Sequence, residues 1–119
     1  VFIAEIEISP LIKLSRDLVE FTPLPVYPAA PRDLALVVNT DVKVGDIITL
    51  VKKRAGEMAE SVKVFDLYDG KQIEKGKKSI GISVVYRSDK KSLSSEEVDR
   101  LQKDIMNNLK NNFDAEIRE

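Results

Sequence analysis

Five residues near the middle of the chain carry groups that could bind a flat, hydrogen-bonding ligand. They comprise one acid, one phenol ring and three residues with small side chains or none: Asp66, Tyr68, Ser79, Gly81 and Ser83. A carboxylate and hydroxyls can hydrogen-bond the edge of such a ligand, and an aromatic ring can stack on its face. The small residues would leave a floor on which the ligand lies. The sequence offers no second grouping of this kind.

Two predicted strands bring these five residues together. Residues 62–68 are rich in β-branched and aromatic side chains and stop at Asp69-Gly70, a strong turn signal, and residues 78–86 form the returning strand. Successive side chains on a strand point to opposite faces. The five residues therefore share one face, and Phe65 and Leu67 are predicted on the opposite, core-facing one. The same rule gives the core-facing set of the second strand: Ile80, Ile82, Val84 and Tyr86.

The composition excludes several kinds of active site. The 119 residues include no histidine and no cysteine, which removes Ser-His and Cys-His nucleophiles, the usual zinc ligand sets and disulfides. No pair of carboxylates stands out from the solvated charges, so we expect no catalysis by this chain. Its length suits one domain, and it shows neither a secretory signal nor an apolar run of the ~20 residues that span a bilayer.

Basic residues surround the predicted cluster, although the net charge of the chain is −1. That overall balance argues against nonspecific binding of nucleic acid. Between positions 71 and 91, however, seven basic residues stand against only Glu74 and Asp89. A solvated hairpin and loop is the common origin of such a run. Its position beside the five residues also fits contacts with phosphate.

The periodicity of the remaining chain predicts an α+β, ferredoxin-like fold. The predicted segments, in order, are a strand over 34–38, a helix from Thr40-Asp41 to Gly56, the two hairpin strands, a helix from Ser94 to Asn111-Asn112 and a strand over 113–118. This βαββαβ order places two helices on one face of a four-stranded antiparallel sheet. We call the other face the open face. Because the first and third strands are neighbours in this topology, Ala35 extends the small-residue floor.

The first 31 residues are predicted to lie outside this fold. Residues 1–8 favour a strand, and Ser9-Pro10 favours the start of a short helix whose apolar spacing runs to Leu18. Four prolines then follow within eleven residues, as in an extended linker. We interpret the chain as the end of a preceding domain over 1–20, a proline-rich linker over 21–31 and the ferredoxin-like domain over 32–119.

Three interpretations of the open face are available from the residues alone. Asp66 and Tyr68 can simply end a strand, since strands favour tyrosine. Alternatively, Tyr68 stacks on an unpaired base such as guanine, whose donor groups hydrogen-bond Asp66 while lysines hold the backbone. RNA-recognition domains share this strand order but carry stacking aromatics where this chain has small residues, so that family is rejected. The third interpretation is a small-molecule regulatory module of the same fold that dimerises through its sheet, or a protein-interaction module, in either case without binding nucleic acid.

An ordered set of short motifs runs through most of the chain, roughly residues 28–118. It consists of Tyr27-Pro28, Arg32-Asp33-Leu34-Ala35, Phe65-Asp66-Leu67-Tyr68-Asp69-Gly70, Gly76-Lys77-Lys78-Ser79-Ile80, Tyr86-Arg87, Ser92-Leu93-Ser94 and Glu97-Val98. Each motif alone is weak, but the ordered set is specific. It resembles the ferredoxin-fold anticodon-binding family, the C-terminal domain of the bacterial phenylalanyl-tRNA synthetase β subunit.

The resemblance implies a role for individual residues. Tyr68 would stack on the first anticodon base of phenylalanine tRNA, a guanine. Asp66 and Ser79 would hydrogen-bond that base, and Ala35 would line the floor beneath it. The residues expected to contact backbone phosphates are Arg32, Lys77 and Lys78.

The resemblance also implies a parent enzyme that ligates phenylalanine to its tRNA. Such an enzyme is cytoplasmic, uses ATP and magnesium, and consists of two α and two β subunits with the catalytic centre in the α subunit. This chain would then contain no catalytic residue, metal site or cofactor. Its partners would be phenylalanine tRNA and, through the rest of the β subunit, the α subunit, with no role for DNA or a membrane.

Overall fold

The computed structural model describes residues 1–15, 20–70 and 72–118. Its elements, in chain order, are α1 (Ile8–Leu14), β1 (Ala30–Asn39), α2 (Val44–Ala55), a 3₁₀ turn (Gly56–Met58), β2 (Ala59–Tyr68), β3 (Lys77–Tyr86), α3 (Ser95–Phe113) and β4 (Glu116–Arg118). From β1 onward the order is βαββαβ, as the sequence predicts.

The four strands form one antiparallel sheet in the order β2-β3-β1-β4. Helices α2 and α3 pack against one face of it, and the buried apolar residues of sheet and helices form a single cluster there. The fully buried side chains at its centre are Leu36, Val38, Ile47, Val51, Ile80, Ile82, Val84, Tyr86, Val98, Ile105 and Leu109. The ferredoxin-like fold is confirmed, and all four core-facing residues predicted for β3 are buried.

The two packed helices begin and end for identifiable reasons. In α3 the Ser94 hydroxyl accepts from the Glu97 amide at 3.2 Å, and the Glu97 carboxylate accepts from the Ser94 amide at 3.0 Å, so the predicted capping box is confirmed. Helix α3 ends at Phe113 because Asp114 adopts the left-handed conformation, two residues beyond the predicted asparagine pair. Helix α2 begins at Val44, later than Thr40-Asp41, and stops at Gly56 (φ 57°) as predicted.

The N-terminal prediction is wrong in part. Residues 1–7 have no regular secondary structure, and no strand among the described residues pairs with them. A strand without a partner leaves its backbone groups to water. Helix α1 has Glu7 rather than Ser9 as its N-cap, and its apolar side chains are exposed. The predicted contribution of Leu18 lies outside the described residues. At the end of the predicted linker, β1 already begins at Ala30.

Candidate nucleic-acid interface

The four residues predicted to bind a base lie in two adjacent rows across the open face. In the first row Asp66 of β2 is opposite Gly81 of β3, which is opposite Ala35 of β1. In the second row Tyr68 is opposite Ser79. The backbone pairing of the sheet therefore brings together side chains that are up to 44 positions apart in sequence.

A β-bulge in β2 aims Asp66 at the open face. Val64 is paired with Ile82, whereas Asp66 is paired with Gly81, so Phe65 is an extra residue in β2. Val64 packs on the core. Without the extra residue, strict alternation would turn Asp66 toward the core as well. The bulge shifts the alternation by one position. It thereby places the carboxylate of Asp66 on the exposed open face and not in the core, where burying a charge would be costly.

Phe65 lies on the open face, and its assignment to the core is wrong. A Cβ atom on Gly81 would stand 2.8 Å from both Cε2 and Cζ of Phe65 and 3.1 Å from the Cβ of Asp66. The ring therefore lies over the bare α-carbon of Gly81, on the side away from the helices. Phe65 is 62% exposed. Any residue larger than glycine at position 81 would displace the ring.

Leu67 faces the helical side but is not part of the core. It is paired with Ile80, which is fully buried, yet Leu67 itself is 59% exposed. Because β2 is an edge strand, a side chain near its end has neighbours on one side only. Phe65 and Leu67 are thus similarly exposed on opposite faces of one strand.

Tyr68 is 42% exposed, and its ring leans over the turn that follows β2. A Cβ atom on Gly70 would collide with the hydroxyl and Cζ of Tyr68. The Asp-Gly turn predicted from the sequence thus has a second use, because the missing side chain leaves space for the ring. The exposed part of Tyr68 remains accessible to a ligand on the open face.

The three residues predicted to contact phosphate are not equally placed for it. Arg32 is paired with core-facing Val84, and its guanidinium lies 3.3 Å from the carboxylate of Asp99 in α3. Lys78 is paired with core-facing Val38. Its ammonium donates to backbone carbonyls before α2, at 2.9 Å to Thr40 and 2.6 Å to Val42. Arg32 and Lys78 therefore lie on the helical face, on the other side of the sheet from Asp66 and Tyr68. Their contact with phosphate stays a prediction.

Lys77 does lie on the open face, two residues before Ser79 in β3. Its ammonium forms ion pairs with Glu116 at 2.6 Å and with Glu74 at 3.0 Å. The hydrogen bonds to these two carboxylates raise the pKa of Lys77 well above its usual range. A phosphate on this lysine would compete with both glutamates.

Sequence reasoning missed Lys63 and Phe65 on this face. Lys63 is exposed and is paired with Ser83, one row beyond Phe65. None of the ion pairs found among the described residues involves Lys63. The signal that could have found both is the apolar pattern of β2, in which Val62 and Val64 fall on even positions but Phe65 and Leu67 on odd ones.

Among the described residues, two cavities lie outside these rows. One, of about 570 Å³, lies between the 3₁₀ turn and the loop after β3, at the end of the sheet away from Tyr68. The other, of about 470 Å³, lies beside the β2–β3 turn and is lined mainly by polar and charged residues. In the part of the chain that the structure describes, no three acidic residues are grouped as metal ligands would be.

Comparison with known proteins identifies the fold family. The model of the ferredoxin-fold anticodon binding domain matches residues 25–118. The phenylalanine–tRNA ligase beta subunit of Clostridium tetani is 39% identical over 117 residues, and that of Aquifex aeolicus is 36% identical over 117 residues. Each match covers 98% of this chain but only 15% of the relative. Among the described residues, no helix has the length and apolar character needed to cross a bilayer.

Proposed function

Because the chain belongs to the ferredoxin-fold anticodon binding family, we propose that its open face binds the anticodon stem-loop of phenylalanine tRNA. The observation that carries this proposal is the convergence of Asp66, Tyr68, Ser79 and Ala35 in two adjacent rows. A ring can stack on an unpaired base, a carboxylate and a hydroxyl can hydrogen-bond its edge, and a flat floor lets it approach the sheet.

In this proposal Tyr68 stacks on the first anticodon base. Asp66 accepts hydrogen bonds from the base's N–H groups, and guanine presents such donors along one edge. The hydroxyl of Ser79 can donate or accept beside it. Ala35 and Gly81 add little bulk, so the base can approach the sheet closely. An anticodon base is single-stranded, and no duplex has to be opened to reach it.

Lys63 and Lys77 are the lysines of the open face that we propose as phosphate contacts. Lys63 is exposed and outside the described ion pairs, so it can meet a phosphate at no cost in existing contacts. Lys77 must exchange at least one glutamate for the phosphate. We therefore expect Lys63 to contribute more to the salt dependence of binding than Lys77.

We further propose that the chain acts within a phenylalanine–tRNA ligase β subunit, because the relatives with that name match it over 98% of its length. The parent enzyme would use ATP and magnesium, pair with α subunits as two α and two β, and act in the cytoplasm. Residues 1–20 would belong to a preceding domain and residues 21–29, which precede β1, to a linker. The exposed apolar side chains of residues 1–14 support this, since they would be covered in a longer protein.

The test is binding of the 119-residue chain to a phenylalanine anticodon stem-loop and to the same loop with its first anticodon guanine replaced. We expect tighter binding of the guanine loop and guanine-dependent NMR shifts at Asp66, Tyr68 and Ser79. The Asp66→Asn variant should lose part of that preference. Equal affinity for both loops, or shifts confined to lysines, would contradict base recognition on this face.

A further inference from the structure

Phe65 is the feature of the open face that anticodon recognition by Asp66 and Tyr68 leaves unexplained. Its ring is 62% exposed and lies on Gly81 in the same row as Asp66. Burying a phenylalanine side chain typically stabilises a protein, and a bulge interrupts the hydrogen-bond ladder. An exposed Phe65 ring therefore contributes little to the stability of the fold. Contact with a ligand explains its exposure better.

We propose that Phe65 is a second base-stacking position, which takes an unpaired nucleobase next to the one stacked on Tyr68. This inference rests on the proposed function. The ring contacts the protein over Gly81 and is 62% exposed, so much of its surface is left for contact with a π-system. Gly81 holds the ring in that position because it has no Cβ at the point of contact.

The separation of the two rings suits two bases that do not stack on each other. Phe65 lies over the row of Asp66, and Tyr68 leans from the next row toward Gly70. Rows two residues apart are about 7 Å apart along a strand. Bases stacked in a duplex are about 3.4 Å apart, so two neighbouring loop bases would have to be splayed. Splayed, unstacked bases are the usual targets of sequence-specific RNA-binding domains.

The charges around Phe65 fit a nucleotide there. Lys63 lies on the same face, one row further from Tyr68, and it is exposed. Its ammonium can reach the phosphate of a nucleotide stacked on Phe65. Asp33 ends the same row, but it is on β1, two strands and about 10 Å away from Lys63. In the row beyond Phe65, the charged residue on β2 itself is therefore a lysine, and the acid lies two strands away.

Four variants of the 119-residue chain separate stacking from other effects. Phe65→Ala removes the ring, Phe65→Leu keeps apolar bulk without a π-face, and Phe65→Tyr keeps the π-face. Leu67→Ala is the matched control, since Leu67 is 59% exposed on the same strand but on the opposite face. Thermal unfolding of each variant establishes that the fold is intact. The Leu and Tyr variants can be compared with each other even where the Ala variant unfolds.

The probe is the phenylalanine anticodon stem-loop, used intact and with one abasic nucleotide at each loop position in turn. Phe65→Ala and Phe65→Leu should weaken binding by about 5- to 150-fold, the range of one stacked base, while Phe65→Tyr and Leu67→Ala bind like the unmodified chain. When the loop lacks the base that stacks on Phe65, Phe65→Ala should cause no further loss of affinity. For Tyr68→Ala the same should hold at a different abasic position.

The two proposals fail in different ways. If Tyr68→Ala weakens binding but Phe65→Ala behaves like Leu67→Ala, the second stacking position is overturned and anticodon binding stands. If one abasic position accounts for both losses, the two rings serve the same base, and the second position is again overturned. If the unmodified chain does not bind the stem-loop, both proposals are overturned.

Discussion

The two faces of the sheet differ in what places their side chains: regular alternation on the helical face, and a β-bulge on the open face. On the helical face, β3 and β1 present apolar side chains in strict alternation, and these are buried under α2 and α3. On the open face, the placement of Asp66 depends on one extra residue in β2. Many residues together specify which side chains occupy the helical face, so no single one of them determines its arrangement. The open face can be altered by a single insertion, deletion or change of residue size.

The comparison predicts that core truncation on the helical face affects stability and not binding. Ile82 is fully buried, so Ile82→Ala should lower the free energy of unfolding by about 2–5 kcal/mol through lost contacts and the cavity left behind. Urea denaturation measures this. The control is Ser83→Ala, next in β3 but on the open face, which should change it by about 0.5 kcal/mol or less. Equal effects of the two would contradict the division between the faces.

The opposite result is expected for Tyr68. Tyr68→Ala should cost about 1–3 kcal/mol of affinity for the phenylalanine anticodon stem-loop, because it removes one stacking ring. Since Tyr68 is 42% exposed, its loss should change the free energy of unfolding by about 1 kcal/mol or less. Titration calorimetry and urea denaturation together give both numbers. Unchanged affinity in a folded variant would remove Tyr68 from the binding site.

The capping box of α3 offers a smaller test on the helical side. Ser94→Ala leaves the Glu97 amide without its acceptor and should destabilise the protein by about 1 kcal/mol, while Ser94→Asp should restore most of it. Stem-loop affinity should not change in either variant. A loss of affinity in the folded Ser94→Ala chain would mean that the two faces are coupled.

Two lysines distinguish the faces by the salt dependence of binding. Lys63→Gln should reduce the slope of log K against log salt by about 0.7, the value for one phosphate contact on a single strand. Lys78→Gln should leave the slope unchanged, because its ammonium is already bound to the carbonyls of Thr40 and Val42. A reduced slope for Lys78→Gln and an unchanged slope for Lys63→Gln would mean that Lys78, and not Lys63, contacts phosphate.

The smallest effect concerns pH. The hydrogen bond and ion pair with Lys91, with help from the Ser94 amide, lower the pKa of Glu97 from 4.5 to about 2. A lowered pKa in the folded state means that the ionised carboxylate stabilises the protein above pH 4.5. That contribution is lost as the pH falls from 4.5 toward 2. Acid unfolding curves of Glu97→Gln should lack this part of the pH dependence, and identical curves for both proteins would contradict the assignment.

Most of the helical face could be predicted because its signals are local and repeated. The alternation from Ile80 to Tyr86 and the capping box from Ser94 to Glu97 each depend on residues a few positions apart. The ferredoxin-like fold then follows from the order of the predicted strands and helices along the chain. The predicted start of α2 was three residues too early, since Lys43, which is no typical capping residue, precedes the first helical turn.

The open face could be predicted only in part. Asp66 and Tyr68 share a face as expected, but Phe65 joins them, because the position of a bulge depends on pairing with β3 rather than on β2 alone. Arg32 and Lys78 were expected to contact backbone phosphates, but no face of the sheet was predicted for them. Which face a strand residue occupies follows from register, and register places both beside core-facing partners.

The bulge at Phe65 has a consequence for how this protein behaves at high concentration. Strand β2 is an edge of the described sheet, and edge strands can pair with strands of other molecules. Register shifts near Glu60 and Phe65 break the even spacing of its free N–H and C=O groups. A second molecule therefore meets no long, regular edge to extend. The same extra residue that turns Asp66 toward the open face thus also disfavours aggregation by edge-to-edge pairing of β2 strands.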